Sequence, residues 1–576
     1  MNMKPFTCFI IGESSLPIKC AEKLLFYNHT IKGIISKDTE VLDWARDNNI
    51  PLFHHKKKEM FSYLRDQSFD YFFSINSNYI IPDHILALPK RFAINYHDSP
   101  LPGYAGKHAT SWAIMNRETK HAISWHVVES KIDTGDLLKQ VHFNIEPGET
   151  AFTLNLKCYE NAINAFEELI LELADMRETR TKQNLIERSY FGMYKRPDSA
   201  CIFSFHEDAY AIESFLRSLN FAAYENPLGM PKILVDNECY VIKQVSILDP
   251  DSDVPSGTVV AVNNHTFTTL TISTTTKDIE ITEIFSIDGE RMDITAFVER
   301  HGLRKGCRFS KPEPGIFRKA DHIDSLIAHH EKFWVKRIGQ LQSLDFFTCE
   351  GPSSDNHLFS EIVIPLILDI SEWGESGELG DRPFCLVDIL IMVFSIYLSK
   401  ISGNLEFDMG YSDPSIRDKL KGLPPIFAHP LPLHVELNPR MTFKELLTVQ
   451  AKERQRIRKR KTFARDILMR YPSLEKKRVV LEKSLSIGVT VVGKIGDFKP
   501  GQGILFNLIV PQSGNECLLI TRTDIPGKES IVKHFSEIVT CVIKNRDILL
   551  QDIYISHEFA NSESFLDDEN LEDFGF

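Results

Sequence analysis

Along the first hundred residues, short apolar runs alternate with stretches of helical spacing. Phe6-Thr7-Cys8-Phe9-Ile10-Ile11-Gly12 is an apolar run closed by glycine, and Lys19 to Phe26 follows with apolar residues three or four apart, which predicts strand, turn and helix. The rhythm recurs with Ile31 to Ser36 as a strand, Glu40 to Asn48 as a helix, and Phe69 to Ile75 and Arg91 to Tyr96 as further strands. Such alternation predicts an α/β, Rossmann-like parallel sheet with ligands at the carboxyl ends of its strands. From Ala200 the spacing changes. One helix, Glu207 to Leu219, is followed by crowded strand-like runs at Cys239 to Leu248, Gly257 to Val262, Thr266 to Ser273 and Asp278 to Phe285, the pattern of a small β-barrel. Pro312-Glu313-Pro314-Gly315 reads as a linker, and the chain beyond it is long enough for another core. The expected divisions are 1–195, 196–312 and 320–560, with an acidic tail over 561–576.

Composition then narrows the function classes. With 43% hydrophobic and 25% charged residues, the chain is globular in character rather than disordered or collagen-like. A net charge of -13 gives no overall reason to coat nucleic acid or an anionic membrane. The longest apolar run, Phe384 to Leu398, is interrupted by Asp388 and is shorter than the ~20 residues that cross a bilayer, so a buried helix is expected there. The first residues lack the basic, apolar and small-residue segments of a signal peptide, which points to the cytoplasm. The ten cysteines form no C-x-x-C pair and read as reduced core thiols, with no metal implied.

The candidate chemistry lies in Ile94-Asn95-Tyr96-His97-Asp98-Ser99-Pro100-Leu101-Pro102-Gly103-Tyr104-Ala105-Gly106. Asn95 and His97 sit two apart at the end of a predicted strand, so both face one side. Farther on, Ile132-Asp133-Thr134-Gly135-Asp136 is a turn after the strand-like Ala122 to Val128, and its carboxylate has the reach to join them. Amide, imidazole and carboxylate together offer an oxyanion donor, a group that titrates near neutral pH, and a charge that fixes its state. Alone, an N-x-H pair is a common surface feature; the surrounding sequence carries the assignment further.

Other motifs carry less. Gly106-Lys107 lacks the phosphate-loop spacing, and Gly12-Glu13-Ser14-Ser15 fits neither a dinucleotide fingerprint nor a nucleophile elbow, so it reads as a strand-to-helix turn. His54-His55 and His329-His330 lack metal-ligand spacing. The basic run Lys452, Arg454, Arg456, Arg458, Lys459, Arg460, Lys461 and Arg465 reads as a solvated face, with docking of an acidic partner as the alternative. It has too few aromatic residues for a nucleic-acid platform.

Asn95-x-His97-x-Ser99-Pro100-Leu101-Pro102-x-Tyr104-x-Gly106, followed by Asp133-Thr134-Gly135-Asp136, resembles the active-site signature of the folate-dependent formyltransferases, the family that includes methionyl-tRNA formyltransferase. The resemblance covers residues 1 to 310. It includes the small barrel domain, where Arg217 to Phe221 and Tyr224-Glu225-Asn226-Pro227-Leu228-Gly229 look like the corresponding words. Ser99-Pro100-Leu101-Pro102, Ala109 to Ile114 and Ser124-Trp125-His126 are most similar to the formylation domains of nonribosomal peptide synthetases. Pro100 and Ala105 depart from the usual leucine and arginine of the tRNA enzyme. The resemblance implies transfer of formyl from 10-formyltetrahydrofolate to a primary amine without a covalent enzyme intermediate. In that picture Asn95 holds the formyl oxygen, His97 stabilises the oxyanion, and Asp133 orients His97 and helps the proton from the amine to N10. Ser77, Asn78, Ile81, Ser99, Pro100, Leu101 and Ile132 would bind the folate, and Gly12, Ser14 and Trp112 the acceptor.

A further resemblance runs through His330 to Trp334, the buried helix at 384 to 401, Pro430 to Val435, Thr442 to Leu447 and Gly503 to Asn507. These are similar, in order, to the C-terminal lobe of condensation domains and coenzyme-A-dependent acyltransferases, an α+β fold. The first lobe and its H-H-x-x-x-D-G motif are missing, so this region implies scaffold or docking rather than condensation. The expected acceptor is an amino acid carried on a peptide carrier protein in nonribosomal peptide or secondary-metabolite synthesis. The alternatives are a free amine (an amino sugar nucleotide or hydroxyornithine), methionyl-tRNA, water in a formyl-folate hydrolase, or no acceptor at all in a docking subunit.

Overall fold

The computed structural model describes residues 4–54, 57–249, 251–264, 267–344, 359–365, 384–498, 505–512, 516–522 and 528–556. His55 and the expected acidic tail over 561–576 lie outside these. The chain divides into two compact units, Met1–Ser325 and Leu326–Phe576.

The first unit opens on β1 (Thr7–Gly12), α1 (Ser15–Phe26), β2 (Thr30–Ser36), α2 (Thr39–Asp47), β3 (Leu52–His54), α3 (Lys57–Leu64), β4 (Tyr71–Ile75), α4 (Asp83–Leu86) and β5 (Phe92–His97). It continues with β6 (Ala105–Gly106), α5 (Ala109–Met115), β7 (Lys120–Val127), β8 (Leu137–Asn144), α6 (Ala151–Asp175) and β9 (Tyr190–Phe191). Among the described residues the main sheet has the order β3-β2-β1-β4-β5-β7-β8. The first five strands are parallel, as expected. β7 and β8 are antiparallel, a departure from an all-parallel sheet. The reason is length: seven-residue α5 spans ~10 Å, about half of a six-residue strand, so the chain re-enters the sheet from the end it left.

The sheet buries both faces. Phe92, Ile94 and Tyr96 of β5 pack into the core under α1 and α6, while Ala93 points into the core under α3 and α4. Period-2 alternation therefore sends Asn95 and His97 to the Ala93 side, at the strand's carboxyl end. A one-residue slip would push both polar groups into the α6 core and drive three large apolar ones to the Ala93 side, so burial sets the register that aims them. α6 begins with a capping box at Thr150 and Thr153. Its Phe166 is fully buried, with its ring 4.8 Å from that of Trp125 and 5.2 Å from that of Phe73.

After α7 (Ala209–Ser218) come two four-stranded sheets around one core, β10-β11-β16-β17 and β12-β15-β14-β13. Their strands are β10 (Lys232–Val235), β11 (Glu238–Val241), β12 (Ser246–Leu248), β13 (Val259–Asn264), β14 (Thr268–Ser273), β15 (Asp278–Ile281), β16 (Ile284–Ser286) and β17 (Arg291–Met292). Two runs expected as single strands are each split: Cys239 to Leu248 into β11 and β12, and Asp278 to Phe285 into β15 and β16, with one half in each sheet. The chain turns a corner between sheets at both places, which hydrophobic periodicity does not record. The expected linker is partly helical, since Pro314 opens the helix Pro314–Ile327.

The second unit is an α+β structure. Its six-stranded sheet runs Phe359–Pro365, Glu516–Arg522, Phe506–Pro511, Ile487–Val492, Glu406–Ser412 and Leu431–Glu436, parallel where Ile487–Val492 meets its two neighbours and antiparallel elsewhere. The helix Leu386–Ser402 is buried almost throughout, and no helix among the described residues is long and apolar enough to cross a membrane. The basic stretch lies on the helix Phe443–Arg460, and part of it is tied within the unit: Arg454 pairs with Asp388, Arg458 with Asp413 at 2.7 Å, and Arg456 with Glu453 at 3.3 Å. Lys452 and Lys459 are exposed.

Phe166→Ala should destabilise the first unit by about 3–5 kcal/mol in urea unfolding, because the void lies between sheet and helix. Ile186→Ala, at a side chain 95% exposed, should leave the midpoint unchanged.

Candidate active site

Asn95, His97 and Asp133 converge although they come from β5 and the turn between β7 and β8. Asp133 Oδ2 lies 3.8 Å from His97 Nε2 and accepts a 2.9 Å hydrogen bond from the backbone N–H of Gly106. Its other oxygen lies 3.6 Å from His126 Nε2. His126 stands opposite Asn95 across the β5–β7 pairing, and its Nε2 is 3.2 Å from Asn95 Nδ2. The His126 Nδ1–H donates to the Val127 carbonyl at 2.8 Å, and Nε2 lies between the Asn95 amide and the Asp133 carboxylate. His97 Nε2–H donates to the Tyr104 carbonyl at 3.1 Å. Gln183 ties the turn from behind, donating to the Asp133 and Gly135 carbonyls at 3.2 and 2.7 Å.

The electrostatics follow from this packing. Burial pushes the Asp133 carboxyl up, but the two imidazoles and the Gly106 N–H outweigh it and hold the group well below the usual carboxylate range. His108, on the neighbouring loop, is lowered to about 4, first by burial and then by Lys107, so it is neutral at pH 7. Asp133 and His108 both have left-handed backbones, as do Ser14 and Asn76, and all four line the same cavity. Non-glycine residues in that region are strained and cluster where function over-determines the fold.

The cavity, about 750 Å³, is within the range of small-molecule sites. Asn95, His97 and Asp133 line it with Ser77, Asn78, Ile81, Ile132 and Ser14. The other expected contacts are not on its described wall. Ser99 is fully buried: its hydroxyl donates to the Gly103 carbonyl at 2.9 Å, and its own carbonyl accepts from Ser124 at 2.7 Å. The buried Leu101 gives its carbonyl to Gln140 at 2.9 Å, so Ser99-Pro100-Leu101 acts as a strut that carries the chain from β5 toward Tyr104. Gly12 closes β1, where an added Cβ would meet the Ile75 carbonyl at 2.2 Å. Trp112 packs inward, stacked on Phe191 at 4.6 Å.

Sequence reasoning missed His126 as part of this centre. It belongs to a quoted motif, but only the strand pairing sets it against Asn95. It also missed the ribbon in which β6 pairs with β9, Ala105 opposite Tyr190 and Gly106 opposite Phe191. That ribbon joins the loop that contacts His97 and Asp133 to the segment 189–194.

These features agree with the sequence relationships. Residues 38–170, which hold Asn95, His97, His126 and Asp133, match the formyl transferase family. The methionyl-tRNA formyltransferase of Clostridioides difficile (strain 630) is 23% identical over 311 residues, covering 51% of this chain and 97% of that protein. The GDP-perosamine N-formyltransferase of Brucella melitensis biotype 1 is 30% identical over 179 residues, covering 31% of this chain and 66% of that protein. A solved sugar 3N-formyl transferase, in the presence of dTDP and 5-N-formyl-THF, is similar with a TM-score of 0.39 at 20% identity, covering 49% of this chain and 98% of that one. Residues 38–170 thus carry the formyl transferase match, and the protein is a formyltransferase.

Gly106 has φ of +105°, and a Cβ there would fall 2.0 Å from the Phe191 carbonyl. Gly106→Ala should break the ribbon, remove the N–H from Asp133 and lower turnover at least tenfold in a steady-state assay. Because the Asp133 carboxyl is depressed in the folded chain, its ionised form contributes stability above the unfolded carboxyl's pKa of ~3.9. The stability difference between the parent chain and Asp133→Asn should thus be full near pH 7 and shrink only below about pH 4 in denaturant titrations.

Proposed function

We propose that the protein transfers a formyl group from 10-formyltetrahydrofolate to the primary amine of an amino acid carried on a peptide carrier protein, in nonribosomal peptide or secondary-metabolite synthesis. The observation that carries the reading is the convergence of Asn95, His97, His126 and Asp133 on one cavity whose wall includes Ser77, Asn78, Ile81 and Ile132. Ile80 and Ile132 are exposed there and offer apolar surface to a flat ring system. Formyl-tetrahydrofolate is the donor, and its ring is held by the segment from Ser77 to Ile81 and the turn at Ile132.

Asn95 donates an amide hydrogen to the formyl oxygen, and His97 stabilises the charge that develops there as the amine nitrogen bonds to the formyl carbon. The bond from that carbon to N10 then breaks, the amine loses a proton and N10 gains one. A carboxyl held as low as Asp133 is a weak proton acceptor, so its main role is electrostatic: it stays ionised and orients His97. His126, against the Asn95 amide at 3.2 Å, holds that amide at the cavity wall.

The carrier-bound acceptor is supported by the wording around Ser99, Ala109 and Ser124 and by the second unit, which we assign to docking. Lys452 and Lys459 suit an acidic partner there. The buried thiols of Cys8, Cys20 and Cys158 suit a reducing compartment, and we place the reaction in the cytoplasm.

Release of tetrahydrofolate should require an amine, with mass spectrometry showing one formyl gained by the acceptor. Amine-independent release would identify a hydrolase instead. One oxyanion donor is worth ~3 kcal/mol, so Asn95→Ala and His97→Ala should each lower turnover by about two orders of magnitude. Near-normal turnover in both would sink the assignment.

A further inference from the structure

His97 meets a second carboxylate at its other ring nitrogen. Asp98 Oδ1 lies 3.5 Å from His97 Nδ1, and Asp98 lines the cavity with its side chain 25% exposed. That distance is longer than the ~2.7–3.2 Å of an N–H···O bond. The His97 Nε2–H already donates to the Tyr104 carbonyl at 3.1 Å, so in the neutral ring Nδ1 is an acceptor. An imidazole lone pair thus faces a carboxylate oxygen, and the pair lacks a donor to sit against both. Among the described residues no hydrogen bond reaches the Asp98 carboxylate, although the Asp98 backbone carbonyl accepts from His121 Nε2 at 2.8 Å. The other carboxylates of the wall differ: Asp133 is held by the Gly106 N–H and two imidazoles, and Glu129 and Glu225 stand exposed.

Asp98 also stands on a different side of the sheet edge from the folate segment. Asn95 and His97 share the Ala93 side of β5, whose core includes Tyr79 and Ile81. Asp98, one residue on from His97, falls on the other side with Tyr96 and α6. Burial, and after it the Asp98 carboxylate, push the Cys158 thiol of α6 up. On that side α6 gives Asn155, Leu156 and Tyr159 to the cavity wall. The hydroxyls there are tied down, since Asn76 Nδ2 donates to Ser14 Oγ and to Tyr159 OH, each at 2.8 Å. A carboxylate set in such an uncharged wall attracts a cation more strongly than one in open water. His97 therefore stands between two regions of one cavity, with Asp133 on its Nε2 and Asp98 on its Nδ1.

Resting on the formyl-transfer reading above, we propose that Asp98 binds the ammonium group of the acceptor, which donates one hydrogen to Asp98 Oδ1 and another to His97 Nδ1. An α-amino group with a pKa of ~7.7–8.0 is mostly charged at pH 7, and its bond to a carboxylate is charge-assisted. The ammonium gives one proton to the Asp98 carboxylate, and its freed lone pair bonds to the formyl carbon. The bond from that carbon to N10 breaks, and the second proton of the nitrogen goes to N10. Asp98 returns its own proton to water as the product leaves. Asp133 and Asp98 thus divide the work: one orients the imidazole, the other delivers the nucleophile to it.

Calorimetry on the full chain at pH 7 tests this with phenylalaninamide and its deaminated analogue, 3-phenylpropanamide. The parent chain should bind the amine about tenfold tighter or more. Asp98→Asn, which keeps the size of the side chain, should bring the two probes to within about twofold, and Asp98→Glu should restore part of the preference. Both variants should bind 5-formyltetrahydrofolate as the parent does. A parent chain that does not prefer the amine overturns the proposal, as does an Asp98→Asn chain that keeps the preference. Loss of 5-formyltetrahydrofolate affinity in both variants would make Asp98 a structural carboxylate and overturn it too. A parent chain with an amine preference that Asp98→Asn abolishes, but with no affinity for 5-formyltetrahydrofolate, would sink the formyl-transfer reading and leave this ammonium site standing.

Discussion

The polar cluster at the end of β5 depends on one buried carboxylate. Asp133 reaches His97 with one oxygen and His126 with the other, and the Gly106 N–H completes its shell. Burying a charge is costly unless it is paired and hydrogen-bonded, and here that requirement joins three separate stretches of chain: the end of β5, the β7–β8 turn and the β6 loop. Loosening any of them leaves the carboxylate underpaired. The same interactions that stabilise the charge therefore hold His97 and His126 in register.

Around that centre the sheet supplies rigidity and the loops supply shape. The alternation of Phe92, Ile94 and Tyr96 with Ala93, Asn95 and His97 sets the aim of the polar pair through burial on the opposite face. The Ser99-Pro100-Leu101 strut is sewn to Gly103, Ser124 and Gln140 by hydrogen bonds, which delivers the Tyr104 carbonyl to His97. The β6–β9 ribbon then extends the assembly to the segment bearing Tyr190 and Tyr194. The polar cluster and the Tyr190 side of the cavity thus share one mechanical support, which pre-organises the groups that face the cavity.

Much of this was legible in the residues. Strand and helix alternation over the first hundred positions predicts the main sheet, and the two-residue spacing of Asn95 and His97 places them on one face. The failures have physical causes. Ser99, Leu101, Gly12 and Trp112 belong to motif words, but motif membership does not distinguish a side chain that lines a cavity from one that supports the wall. The corners between β11 and β12 and between β15 and β16 leave apolar periodicity intact, so each reads as one strand. The reversal of β7 depends on the shortness of α5, and no periodicity states direction.

The sequence by itself determined the local elements, the amide, imidazole and carboxylate, and the absence of a net positive charge, because these are properties of composition and of spacing over a few residues. Tertiary structure alone decided that His126 faces Asn95 and that Gly106 caps Asp133. Those facts arise from strand pairing and loop closure between residues dozens of positions apart, where the burial of one face dictates what the other presents.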